Sequence, residues 1–95
     1  MFIQWLQLGK KIVERLPRRA AMRCPECRNE SVDYQYVGDP IDRIGYLDMW
    51  CTSCQKGVHI SRVEIPENAD LISFNASKEQ ITQRIPSFTQ VLPED

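Results

Sequence analysis

Residues 24–54 read CPECRNESVDYQYVGDPIDRIGYLDMWCTSC, and the two C-x-x-C pairs at its ends decide the reading. Pro25 and Glu26 separate Cys24 from Cys27, Thr52 and Ser53 separate Cys51 from Cys54, and 23 residues lie between the pairs. Two intervening residues let a tight turn aim both sulfurs of a pair at one point, so two such turns can supply the four donors of a tetrahedral metal site. For the turns to face each other, the chain between them must fold back on itself.

The intervening sequence is suited to that. Ser31–Val37 (SVDYQYV) alternates Val32, Tyr34 and Tyr36 with Asp33 and Gln35, the pattern of a half-buried strand. Gly38, Asp39, Pro40 and Gly45 bracket a turn or short loop, and Tyr46–Trp50 (YLDMW) returns to Cys51. After the second pair Gly57 relieves the turn, and Val58–Ile65 (VHISRVEI) forms a third strand that Pro66 closes. The order is knuckle, strand, strand, knuckle, strand.

This arrangement, CPEC and CTSC around a hairpin, resembles a four-cysteine zinc ribbon over about residues 22–66. The resemblance implies a closed, structural zinc site on a three-stranded antiparallel sheet, with one Zn²⁺ held by Cys24, Cys27, Cys51 and Cys54. Ribbon knuckles often carry glycine directly after the second cysteine. Here Arg28 and Gln55 stand there, with Asn29 and Gly57 close enough to supply a left-handed residue. The competing readings are iron in a rubredoxin-like site, a thioredoxin-type redox pair, two disulfides, and unmetallated thiols. The missing glycines argue against iron, the absent βαβ context against a redox motif, and the lack of a secretory signal against disulfides.

With 95 residues the chain makes one small domain, and a core this size usually needs a metal, a disulfide or a partner. Its net charge of −1 is uneven. Residues 1–23 carry Lys10, Lys11, Arg15, Arg18, Arg19 and Arg23 against Glu14, a net +5, which leaves −6 for the other 72 residues. Residues 1–16 read as an amphipathic helix ended by Pro17. Phe2, Trp5, Leu6, Ile12, Val13 and Leu16 share a side, with Leu8 flanking, while Gln4, Gln7, Lys11, Glu14 and Arg15 lie opposite. Such a helix can pack on its own body or a partner, lie on an anionic membrane, or contact nucleic acid. Its candidate interaction residues are Phe2, Trp5, Leu6, Lys10, Lys11, Ile12, Arg15, Arg18 and Arg19.

The expected organisation is therefore a basic helical arm over residues 1–23, a zinc ribbon over 24–66 and an extension over 67–95. Fold class is a small, metal-stabilised, β-rich α+β domain with an N-terminal amphipathic helix and a short C-terminal one. In the extension, Leu71, Ile72 and Phe74 suggest an added strand, Ser77 with Gln80 a capping box for a helix to about Arg84, and residues 85–95 an extended tail that is either a loose terminus or a linear segment docking on a sheet edge or groove. His59, the single histidine, would be a fifth donor to a complete site and reads as a strand residue. Asp33, Asp39, Asp42 and Asp48 read as turn and outward positions.

Four thiolates leave no open metal position, so catalysis is not expected. The acidic ribbon disfavours a phosphate backbone. The leading expectation is a cytoplasmic protein-interaction module, self-associating through its helix or binding a protein partner. Nucleic-acid binding through the arm and peripheral membrane attachment are the alternatives, and no small-molecule substrate is expected.

Overall fold

A computed structural model describes residues 2–16 and 22–92. The candidate residues Arg18 and Arg19 lie outside them. Helix α1 spans Phe2–Arg15, strands β1, β2 and β3 span Val32–Gly38, Ile44–Cys51 and Lys56–Glu64, and then follow β4 (Leu71–Ser73), α2 (Lys78–Arg84) and β5 (Thr89–Gln90). The sheet order is β4-β1-β2-β3-β5.

The three central strands are antiparallel, with Val32 opposite Cys51 and Gly38 opposite Gly45 in the first hairpin and Trp50 opposite Gly57 in the second. The expected three-stranded sheet is thus extended to five strands, and both additions are parallel: β4 pairs Tyr36–Gly38, and β5 pairs Lys56–Gly57. These edges are three and two residues long, too short to show strand periodicity in the sequence. Leu71 and Ile72 fall in β4, while Phe74 lies just beyond it. The tail docks on a sheet edge of its own chain, with the Val91 amide donating to the Gly57 carbonyl at 2.7 Å.

Gly38 and Gly45 face each other across the loop they bracket, Gly45 already within β2. From that loop the Arg43 guanidinium donates to the carbonyls of Pro66 and Ala69 at 2.6 and 2.7 Å. One correction concerns glycine. Gly57 does not relieve the turn, since no glycine here has positive φ. It permits close approach: a Cβ there would collide with the Met49 carbonyl and the Phe88 ring.

One face of the sheet carries Tyr34, Tyr36, Leu47, Met49 and Val58, clustered with Trp5, Leu8 and Ile12 of α1. The buried stripe is Trp5–Leu8–Gly9–Ile12, at i, i+3, i+4 and i+7. This rotates the helix from the expected face: Leu8 is central, while Leu6 and Val13 are 40% and 49% exposed. On the other face Val37 and Trp50 pack with Ile81, Ile85 and Phe88. The Ser77 hydroxyl caps α2 by accepting from the Gln80 amide at 3.1 Å.

Two carboxylates also depart from their expected positions. Asp48 is buried, its Oδ1 2.6 Å from Nδ1 of His59, and Asp33 lies within hydrogen-bond distance of the Arg84 guanidinium. No helix among the described residues is long and apolar enough to cross a membrane.

Candidate metal centre

Each C-x-x-C pair lies in a tight turn, and the antiparallel β1–β2 register brings the two turns together. In the first knuckle the Arg28 amide donates to the Cys24 carbonyl at 2.9 Å; in the second the Gln55 amide donates to the Cys51 carbonyl at 2.9 Å. Arg28 and Gln55 have φ of 67° and 61°. The left-handed residue thus directly follows the second cysteine in each knuckle, not at Asn29 or Gly57. A side chain there costs on the order of 1–2 kcal/mol in backbone strain, which the local hydrogen bond and the closure of the sulfur cluster offset.

The four Sγ atoms lie within 4.8 Å of one another, Cys24 and Cys51 being buried and Cys27 and Cys54 partly so. Across the cluster, Cys24 and Cys54 are 3.7 Å apart and Cys27 and Cys51 are 3.6 Å apart. Sulfurs arranged tetrahedrally at about 2.3 Å from a metal lie about 3.8 Å from each other. The cluster therefore fits one tetrahedral ion, and an all-sulfur donor set suits zinc or iron.

Donors surround the sulfurs. The Glu26 amide points at Cys24 Sγ (3.3 Å), the amides of Ser53 and Cys54 at Cys51 Sγ (3.3 and 3.5 Å), and the Asn29 side-chain amide at Cys27 Sγ (3.5 Å). The Ser31 hydroxyl lies 3.1 Å from Cys51 Sγ. As free thiols the two buried cysteines differ. Burial pushes Cys24 up to about 12. Burial also opposes ionisation of Cys51, but the Ser31 hydroxyl and the Cys54 and Ser53 amides outweigh it and bring that thiol down to about 6. These donors orient and charge-stabilise a thiolate ligand.

The sequence reading missed Ser31 and Asn29, which carry no motif of their own and reach sulfur only through the knuckle geometry. It also missed the link from knuckle to helix: the Trp5 indole N–H donates to Glu26 Oε1 at 3.4 Å, and Lys56 Nζ is 4.0 Å from the other carboxylate oxygen. The helical candidates divide. Phe2, Trp5 and Ile12 face the core, whereas Leu6, Lys10, Lys11 and Arg15 are exposed. His59 is no part of the cluster. It pairs with Asp48 and packs on Tyr46 at 4.8 Å between ring centroids.

No family model matches the chain, and no solved structure does. Among curated proteins it is similar to adenylate cyclase type 10 of Oryctolagus cuniculus, 33% identical over 102 residues that take in 93% of this chain. The chain spans 6% of the length of that protein.

Proposed function

We propose that the chain is a zinc-stabilised interaction module that self-associates through the outward side of α1. The observation that carries this reading is a second apolar stripe on the helix. With Trp5, Leu8 and Ile12 spent on the core, Ile3, Leu6 and Val13 remain exposed. Leu6 and Val13 border a groove of about 250 Å³ that Tyr36, Leu47, Ile60 and Val63 also line. Lys10 and Glu64 also line it, opposite charges that a two-fold pairing of identical surfaces would cross-match. Zinc is the metal this reading assigns, held by Cys24, Cys27, Cys51 and Cys54 in a closed, structural role, within a reducing cytoplasmic setting.

An adenylate cyclase activity is not part of the proposal. The similar segment is 6% of that protein's length, so the activity in that protein's name is not carried to this chain. Nucleic-acid association through the arm is the alternative, supported by the outward Lys10, Lys11 and Arg15 and opposed by the acidic ribbon. Membrane attachment ranks behind both, since Trp5, the natural interfacial anchor, is fully buried.

The test is light scattering on the zinc-loaded chain beside a Leu6→Gln, Val13→Gln double variant. Both positions are exposed, so the fold should survive; Trp5 is unsuitable because its loss would open the core. The expected result is a dimer mass that reverts to monomer in the double variant. A monomeric parent chain at high concentration, or a dimer that the substitutions leave unchanged, would sink the proposal.

A further inference from the structure

A cleft of about 300 Å³ separates α1 from the first knuckle. Gln4, Gln7 and Lys11 form its helical wall, one turn apart on a single face, and Arg23 and Arg28 form the opposite wall on either side of the CPEC turn. Leu8 and Pro25 supply apolar surface between them. Three cations and two carboxamides thus converge on one space that also reaches Cys24 of the sulfur cluster, and no carboxylate lines it, in a chain whose acidic residues outnumber its basic ones.

The second knuckle is an internal control. Its corresponding cleft, about 190 Å³, is lined by Trp50, Cys51, Thr52 and Gln55 with Pro86, Ser87 and Phe88 of the tail, and carries no lysine, arginine or carboxylate side chain although it too reaches a cluster sulfur. The knuckles share the turn, the left-handed residue and the amide-to-carbonyl bond. Closing a knuckle therefore does not require the cations. Nor are they used on the sulfurs, whose donors among the described residues are amides, Asn29 and Ser31. Arg23 approaches Glu30 at 4.0 Å with both side chains about two-thirds exposed, while Lys11 and Arg28 have no carboxylate partner among the described residues.

We infer that this cleft is an anion site for a phosphate group. Arginine offers a planar fork of donors to phosphate oxygens, lysine adds a point charge, and the carboxamides donate at the rim. Leu8 and Pro25 suit an apolar or planar body attached to the phosphate. The site is open to solvent, so binding is salt-dependent. It is separate from the exposed α1 stripe and stands whether or not the chain self-associates.

Arg28 gives a test that does not threaten the fold, because Arg28→Gly removes the cation and relieves the positive φ together. Gln55→Gly makes the same backbone change in the neutral knuckle. The zinc-loaded, ¹⁵N-labelled chain is titrated with inorganic phosphate, phenyl phosphate and a single-stranded oligonucleotide while amide shifts are followed. Shifts should cluster on residues 4–11 and 23–28. Affinity should fall about tenfold in Arg28→Gly, as expected for losing one charge-assisted contact, fall in Lys11→Gln, and stay unchanged in Gln55→Gly. Tighter binding of phenyl phosphate than of the oligonucleotide would assign the phosphate to a small molecule; the reverse, also lost in Arg28→Gly, would assign it to a nucleic-acid backbone. No binding of any probe, or equal affinity in Arg28→Gly and the parent, overturns the inference.

Discussion

On one face of the sheet, α1 contributes Trp5, Leu8 and Ile12 to a cluster with Tyr34, Tyr36, Leu47 and Met49. On the other, α2 is held by a single polar side chain as much as by Ile81 and Ile85. The Arg84 guanidinium donates to both Asp33 carboxylate oxygens (2.8 and 3.1 Å), to Gln35 Oε1 (2.9 Å) and to the Tyr34 carbonyl (2.9 Å), and lies 5.3 Å from the Trp50 ring centre. Gln35 is buried and passes its own amide to the Tyr36 carbonyl at 2.9 Å, so the clamp leaves no polar atom stranded. A fourteen-residue helix has enough apolar surface to dock by burial. A seven-residue helix with no buried residue of its own needs directional bonds.

The change that should break both faces together is removal of the metal. Structural zinc contributes on the order of 10–16 kcal/mol to a small module, against a total stability of about 5–15 kcal/mol for an ordinary domain. The cluster ties the turn after α1 to the β2–β3 turn, and Trp5 reaches that first turn through Glu26. Chelation, or Cys24→Ser, should abolish the cooperative thermal transition followed by circular dichroism. Survival of a sharp transition in the fully metal-free chain would show that packing alone holds the sheet.

Next in size are changes that separate the faces. Trp5→Ala empties a fully buried site and should cost about 3–5 kcal/mol. Arg84→Met keeps much of the side-chain stem and loses the bonds; with Arg84 and Asp33 side chains 32% and 38% exposed, the expected cost is about 1–2 kcal/mol. Salt sharpens the contrast. The Arg84→Met cost should shrink in high salt while the Trp5→Ala cost persists, measured as urea midpoints at two ionic strengths. Equal salt responses would contradict the division between apolar and polar docking.

That division also explains what could be read from the sequence. The cysteine pairs, the alternation of Val32, Tyr34 and Tyr36, and the Ser77 cap are local patterns, and each element they mark is present. The amphipathicity of α1 was legible but not its rotation, because Leu6 and Leu8 are equally apolar and only the sheet decides which is buried. Arg84 lies 51 residues from Asp33, and nothing in a charge pattern pairs positions so far apart. Short parallel edges such as Leu71–Ser73 and Thr89–Gln90 are likewise fixed by the strand they meet. In the candidate site, ligand-type residues could be read from spacing, whereas Ser31, Asn29 and the left-handed backbone of Arg28 and Gln55 arise only once the turns close.

The smallest expected effect lies on the face that Arg84 closes, at the buried carboxylate of Asp48. Burial raises its pKa above 3.8, and the hydrogen bond and charge of His59 pull against that shift without cancelling it. A carboxyl with a raised folded-state pKa holds its proton longer in the native chain than in the unfolded one. Its contribution to stability is therefore present below the unfolded value and is lost as pH rises through the folded value. Asp48→Asn keeps an oxygen able to accept from His59 Nδ1–H and removes the titration. The parent chain's stability relative to Asp48→Asn should decline as pH rises from the ordinary carboxyl value through the raised folded one and then level off, read as paired urea midpoints. Metal loss on acidification affects both chains alike, so their difference isolates the carboxylate. A difference that grows in the parent's favour with pH would mean that the His59 pair outweighs burial, and that this face too is held by charge at its far end.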